Sequence, residues 1–110
     1  VPLPVAETVH PDIQAAQERL AVRPNDPVAR LTLARACTAQ GQLEQALSHY
    51  QHLVTVDEVL AQVVDDLEAL AAREPGLAQT YHLLGDARMQ QGKLNEALDA
   101  YRRALERLRR

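Results

Sequence analysis

The sequence contains no phenylalanine, no tryptophan and only three tyrosines among its 110 residues. A hydrophobic core must therefore be built from leucine, valine and alanine. Because alanine and leucine are the strongest helix formers, this composition favours a helical protein. A chain of this length fits one domain with a modest core.

Cysteine and long apolar runs are also scarce. The one cysteine, Cys37, excludes an internal disulfide and a metal site made of cysteines alone. Its place in the apolar run LTLARAC predicts a buried small side chain rather than a reactive thiol. No run approaches the ~18 consecutive apolar residues of a membrane-spanning helix, and no signal peptide is visible. We therefore predict a cytoplasmic protein without membrane insertion.

The first stretch of the chain, VPLPVAETVHP, carries three of the six prolines. Proline removes a backbone donor and disfavours helix in the residue before it. We therefore predict a proline-rich linker over residues 1–10 and a single helical domain over residues 11–110. Asp26 and Pro27 predict a helix start, as N-cap and first-turn residue. No alternating run rich in β-branched or aromatic residues is present, so we predict no sheet.

Two segments of the chain share the frame Q-G-x-L-x-x-A-L-x-x-Y: QGQLEQALSHYQ begins at Gln40 and QGKLNEALDAYR begins at Gln91, an offset of 51 residues (91 − 40). Each contains a glycine, a small alanine and a tyrosine, which are Gly41, Ala46 and Tyr50 in the first copy and Gly92, Ala97 and Tyr101 in the second. The glycine lies between two helical patterns, so we expect it to adopt a left-handed backbone conformation. The alanine would let two helices approach closely.

This frame resembles the tetratricopeptide repeat, which pairs two antiparallel helices over about 34 residues. The second copy matches most closely, at Tyr81, Leu84, Gly85, Gly92, Ala97, Tyr101 and Ala104. In the first copy Arg30, Ala34 and Cys37 replace the aromatic, glycine and tyrosine expected on the first helix. The resemblance implies an all-α fold of antiparallel helix pairs, a short α-solenoid, with repeat pairs at 27–54 and 78–109.

The offset exceeds one repeat by about half a repeat, and the surplus is a helical segment over residues 56–74. Thr55 and Glu58 have the spacing of a capping box, which would start a new helix there. Alternatively, residues 43–73 form one long helix. No glycine or proline lies between Gly41 and Pro75, and the apolar stripe stays in phase throughout. The single helix is therefore the preferred interpretation.

No arrangement of polar residues predicts catalysis, a cofactor or a metal. His49 and His52 lie three residues apart, but a metal site needs further ligands. The carboxylates at Asp65 and Asp66 diverge by about 100° around a helix, so they cannot act as a pair. The arginines of the tail YRRALERLRR suit a helix C-terminus. We predict no enzyme activity, no cofactor and no nucleic-acid partner.

The resemblance implies a scaffold that binds a protein or peptide in a groove lined by the first helix of each pair. The groove residues it nominates are Leu31, Arg35, Thr38, His82, Asp86 and Met89; alternatively, these are ordinary solvated helix residues. The basic clamp that some members of the family use for acidic C-terminal peptides is not matched, because Leu31, Arg35, His82 and Asp86 stand at those positions.

Self-association is the second predicted function. A repeat pair cannot bury its apolar face alone, and about three repeats are usually needed. A long helix over 43–73 would leave an apolar patch partly open, formed by Leu60, Val63, Val64 and Leu67. We therefore predict a homodimer. The alternative to a peptide-binding scaffold is an oligomerisation module of a larger protein with no peptide ligand.

Overall fold

The computed structural model describes residues 11–109, which form six α-helices and no strand. The helices are α1 (Pro11–Val22), α2 (Pro27–Ala39), α3 (Leu43–Leu53), α4 (Leu60–Arg73), α5 (Ala78–Gln90) and α6 (Leu94–Leu108). This confirms the all-α prediction, while the predicted linker over 1–10 lies outside the described residues. Within those residues, no helix combines the length and the apolar character needed to cross a membrane.

The structure divides into two compact units, one reaching His49 and the other beginning at Tyr50, so the boundary lies inside α3. In the first unit, α2 and α3 run antiparallel. Arg30, early in α2, lies 3.3 Å from the ring of His49, late in α3. Cys37, late in α2, donates a long hydrogen bond of 3.8 Å to Gln45, early in α3. A single domain over residues 11–110 stays a prediction.

The start of α2 is fixed by a buried carboxylate. Asp26 Oδ1 accepts a hydrogen bond of 3.1 Å from the backbone N–H of Ala29, and Arg19 of α1 pairs with Oδ2 at 2.8 Å. The Ala29 bond, with help from Arg19 and against the effect of burial, lowers the pKa of Asp26 below its usual 3.8. The predicted cap at Asp26 is confirmed, and it also ties α1 to α2.

The second unit contains the second repeat pair and the surplus helix. Helix α5 packs against both α4 and α6. Tyr81, near the start of α5, shares a buried cluster with Ala71 of α4 and Ala104 of α6. Arg88, near the end of α5, pairs with Glu96 at the start of α6 at 3.4 Å. Early residues of α5 therefore meet late residues of α6, and the pair is antiparallel.

The preferred prediction of one helix over 43–73 is wrong, because the helix ends at Leu53. The backbone N–H of Val56 bonds to the carbonyl of Leu53 at 3.0 Å and closes a turn. Val56 is extended (φ −100°, ψ 107°), and a 3₁₀ turn over Asp57–Val59 leads into α4. The apolar stripe stays in phase from residue 43 to residue 73, but it therefore does not indicate one continuous helix.

Burial gives the physical reason for this break. On a continuous helix, Val59 would lie roughly 120° around the axis from Leu53. With the turn, both side chains enter the core, at 1% exposure for Leu53 and 3% for Val59. The alternative prediction, a new helix that starts near Thr55, was the better one. The predicted capping box is not the cap, because Val56 stands at the cap position and its side chain makes no cap hydrogen bond.

Both repeat glycines adopt the left-handed backbone that the sequence predicts, with φ of 78° at Gly41 and at Gly92. At the second turn, Gly92 N–H bonds to Met89 O at 3.0 Å and Lys93 N–H to Arg88 O at 2.9 Å. This pair of bonds is a Schellman motif, which satisfies the last carbonyls of α5. The first turn has the same bonds after α2.

Replacing Gly92 with valine should destabilise the protein by about 1–2 kcal/mol, because a left-handed backbone forces any Cβ against the following carbonyl oxygen. The matched control is Gly76→Val. Gly76 is not among the positive-φ glycines, and a Cβ there would meet no atom within 4 Å. Urea unfolding of the two variants measures the difference. Equal midpoints would contradict the role assigned to the turn.

Candidate functional site

Three of the predicted groove residues share one face of α5. His82, Asp86 and Met89 are spaced four and three residues apart, which places them on one side of a helix. Met89 is 49% exposed, and the side chains of His82 and Asp86 are 61% and 37% exposed. This face therefore offers an imidazole, a carboxylate and an apolar thioether to the solvent side.

The other three predicted residues lie on α2, in the first compact unit. Arg35 is exposed, and Thr38 is half-buried, with its hydroxyl donating to the carbonyl of Ala34 at 2.9 Å. The prediction that Leu31 lines the groove is wrong, because Leu31 is 6% exposed and belongs to the core. Leu31 lies one turn before the fully buried Ala34, so it shares the buried side of α2.

The carboxylate of Asp86 is held by a tyrosine of the facing helix. Tyr101 of α6 donates its hydroxyl hydrogen to Asp86 Oδ1 at 2.5 Å, a distance typical of a bond to a charged acceptor. His82 Nδ1 lies 3.7 Å from the second oxygen, Oδ2. The rings of His82 and Tyr101 are 5.7 Å apart at a 53° tilt. Asp86 is therefore a positioned charge with one oxygen still facing His82 and solvent.

Burial and this bond together change the acidity of the tyrosine. Burial of the phenol is the main cause, followed by the hydrogen bond to Asp86 and its negative charge, and together they raise the pKa of Tyr101 to about 12. Tyr101 is therefore a neutral donor at every physiological pH.

Gly85 provides the space for the Tyr101 ring. A Cβ at this position would lie 2.5 Å from Cε1 and 2.7 Å from Cδ1 of Tyr101. The glycine that marks the first helix of the second repeat is thus explained by contact with the ring, whereas Gly41 and Gly92 are explained by their backbone conformation. The small Ala97 is 0% exposed, as expected where α6 approaches another helix.

The four residues predicted for self-association are not open. Leu60, Val63, Val64 and Leu67 have exposures of 7%, 0%, 3% and 0% within a single chain. The expectation of an open patch on α4 depended on one long helix, and the turn after Leu53 removes that premise. These residues form part of the core.

The remaining candidates for chemistry were the thiol of Cys37 and the pair His49 and His52. Cys37 is half-buried rather than buried, and desolvation raises the pKa of its thiol above 9.0, so it stays protonated at neutral pH. In the part of the chain from Pro11 to Arg109, no three histidine, cysteine, aspartate or glutamate side chains are grouped to hold a metal ion. His49 and His52 both make other interactions there.

Helix α6 also carries an exposed apolar face, which was not predicted from the sequence. Leu94, Leu98, Leu105 and Leu108 are all exposed by more than two fifths. The sequence contains a signal for this face: together with Tyr101, these leucines are spaced alternately four and three residues apart, which places them on one side of a helix.

The antiparallel helix pairs and the two glycine turns define a helical repeat protein. Two models described as tetratricopeptide repeat match the chain, one over residues 78–109 and the other over residues 6–62. The second match covers just over half of the chain, and the chain belongs to the tetratricopeptide repeat family. Members of this family generally mediate protein–protein interaction and are non-catalytic scaffolds. A search of curated protein sequences finds no match.

Replacing Gly85 with alanine should destabilise the second unit by about 1–3 kcal/mol, because the methyl group would overlap the Tyr101 ring. Alanine is otherwise favoured over glycine within a helix by about 0.5–1 kcal/mol. The sign should therefore reverse in a Tyr101→Leu background, where the ring is absent. A double-mutant cycle of urea midpoints measures this, and destabilisation of equal size in both backgrounds would contradict the contact.

The pKa of Tyr101 should be about 12 rather than the usual 10.0. Subtracting the absorbance titration of Tyr101→Phe from that of the wild type isolates the ionisation of Tyr101 from that of the other two tyrosines. Because the folded pKa exceeds the unfolded one, the linked stabilisation is complete below pH 10 and is lost as the pH rises towards 12. Asp86→Asn, which removes the charge, should lower the midpoint. A difference titration centred near 10.0 would show that the phenol is solvated.

Proposed function

We propose that this protein is a non-enzymatic scaffold that binds a peptide or protein segment on the exposed face of α5. Membership of the tetratricopeptide repeat family supports a protein partner. The observation that carries the proposal is the fixing of Asp86 by Tyr101 at 2.5 Å. A charge that is already oriented loses little conformational entropy when a partner binds, so it can supply both affinity and register.

The chemistry of this face specifies the kind of partner. Asp86 can accept hydrogen bonds from lysine, arginine or backbone N–H groups, and such charge-assisted bonds are the strong ones. Met89 adds an apolar contact with an adaptable side chain. No lysine or arginine lies on this face with His82 and Asp86. We therefore propose a neutral or basic peptide rather than an acidic C-terminal tail, while a role for Arg35 and Thr38 of α2 stays a prediction from the sequence.

Self-association through Leu60, Val63, Val64 and Leu67 is not part of the proposal, because these side chains are buried within one chain. A homodimer formed in another way, and a cytoplasmic location, remain predictions from the sequence. The homodimer is separable from peptide binding, since the oligomeric state can be measured on the protein alone.

A displayed library of random peptides selected on the wild-type protein tests the proposal. Selected peptides should carry a basic residue beside an apolar one. Their affinity should fall about tenfold or more in Asp86→Asn, since hydrogen bonds to charged groups contribute roughly 1.5–3 kcal/mol. Asparagine still accepts the Tyr101 hydrogen bond, so the melting temperature should change little.

Asp65→Asn is the matched control, because Asp65 is an exposed carboxylate on α4. It should bind the selected peptides as the wild type does. Met89→Ala should weaken binding as well, through its apolar contact alone. Undiminished binding by Asp86→Asn would refute the assigned contact, and a large loss of melting temperature in Met89→Ala would show a structural role.

A further inference from the structure

Helix α6 has a continuous apolar face that nothing in the described chain covers. Its leucines are exposed by 56% at Leu94, 44% at Leu98, 58% at Leu105 and 72% at Leu108. With the half-buried Tyr101 between them, the spacings along the helix are four, three, four and three residues. This is the heptad spacing of a helix that packs along a second helix. The face extends for roughly 21 Å, or 14 residues at 1.5 Å each.

A groove beside this face could receive side chains from such a second helix. It lies between α5 and α6, has a volume of about 430 Å³, and is lined mainly by apolar atoms. The small residues Ala78 and Ala104 contribute to its lining, and so do Leu105 and Leu108. A leucine-sized side chain that projects from a docked helix would fill part of this space.

One flank of the leucine face carries two arginines that have no acidic partner among residues 11–109. Arg102 and Arg109 border the leucines at positions about 40–60° around the helix from Leu105. Other arginines of α6 are engaged: Arg103 pairs with Asp99 at 3.3 Å, and Arg107 stacks over Tyr81, 4.9 Å from the ring centre. Within residues 11–109, no carboxylate is in ion-pairing distance of Arg102 or Arg109.

We propose that α6 docks an amphipathic helix of another protein, one with leucines in heptad spacing and carboxylates along the flank that faces Arg102 and Arg109. The leucine face supplies the apolar contact, and the arginines supply direction and partner choice. This surface is distinct from the peptide-binding face proposed for α5, which it adjoins at His82. Neither proposal requires the other.

The same charges disfavour an antiparallel second copy of this chain as the occupant. If two α6 helices packed antiparallel through their leucines, Arg102 of one copy would face the arginine flank of the other. Like charges placed opposite one another oppose such pairing. An acidic helix has no such penalty and gains attraction at Arg102 and Arg109.

A synthetic helix of about 21 residues, with leucine at heptad positions a and d and glutamate at e and g, is the probe; its own charges prevent it from pairing with itself. Fluorescence anisotropy measures its binding to the full chain. We expect affinity about tenfold or more above that of the same peptide with lysine for glutamate, and a difference that shrinks as salt screens the charges.

Two variants and a control separate the apolar and charged parts. Leu98→Gln with Leu105→Gln should abolish binding of the glutamate peptide, and both sites are exposed enough for the fold to persist. Arg102→Glu with Arg109→Glu should reverse the preference, so that the lysine peptide binds better. Arg73→Glu, at an exposed site on α4, should leave the preference unchanged. Circular dichroism checks the fold of each variant.

Three results would overturn the proposal. One is absence of binding by the glutamate peptide to the folded wild type. Another is equal affinity for the two peptides at low salt, which would leave the arginines without a role. The third is a wild-type dimer in light scattering that Leu105→Gln dissociates, because the occupant would then be a second copy. None of these results bears on the binding of basic peptides at Asp86.

Discussion

The contact between Tyr101 and α5 determines much of the second unit. The Tyr101 ring fits against α5 only because Gly85 has no side chain, and the Tyr101 hydroxyl donates a hydrogen bond of 2.5 Å to Asp86. The same residue therefore sets the distance between two helices and orients the only acidic group of the exposed α5 face. A side chain of different length at position 101 would alter both. Packing and the proposed recognition chemistry thus depend on one aromatic group.

The turns were predictable from the sequence because their cause is local. A glycine between two helical patterns needs only its own backbone and its neighbours' carbonyls, and Gly41 and Gly92 both have φ of 78°. The cap at Asp26 was predictable for the same reason. The break after Leu53 has neither glycine nor proline, and the capping-box spacing of Thr55 and Glu58 was only a weak marker, because Val56 stands at the cap position. It depends on the burial of Val59, which only the packed structure reveals.

The two leucine faces show a second limit of the sequence. Periodic spacing predicts that a helix has an apolar side, but not what covers it. We expected Leu60 and Leu67 on α4 to be open, and they are covered within the chain, while Leu98 and Leu105 on α6 are exposed. The charged residues beside each apolar face distinguish the two helices. Carboxylates of α4 find partners nearby, as Glu68 does with Arg88 at 2.7 Å, whereas Arg102 has no acidic partner among the described residues.

The surplus half-repeat has a chemical role as well as a spatial one. In the second copy Tyr101 donates to Asp86 on the preceding helix. The corresponding position in the first copy is 86 − 51 = 35, where Arg35 stands and cannot accept a hydrogen bond. Tyr50 is 2% exposed, so its hydroxyl needs an acceptor from elsewhere.

The surplus segment supplies that acceptor. Tyr50 donates to Asp66 Oδ2 of α4 at 2.9 Å, on the helix that follows it rather than the one before. The two tyrosines of the repeat thus keep the same kind of partner, a carboxylate, through different helices. The surplus segment that makes the offset 51 residues rather than about 34 therefore supplies the carboxylate that position 35 lacks.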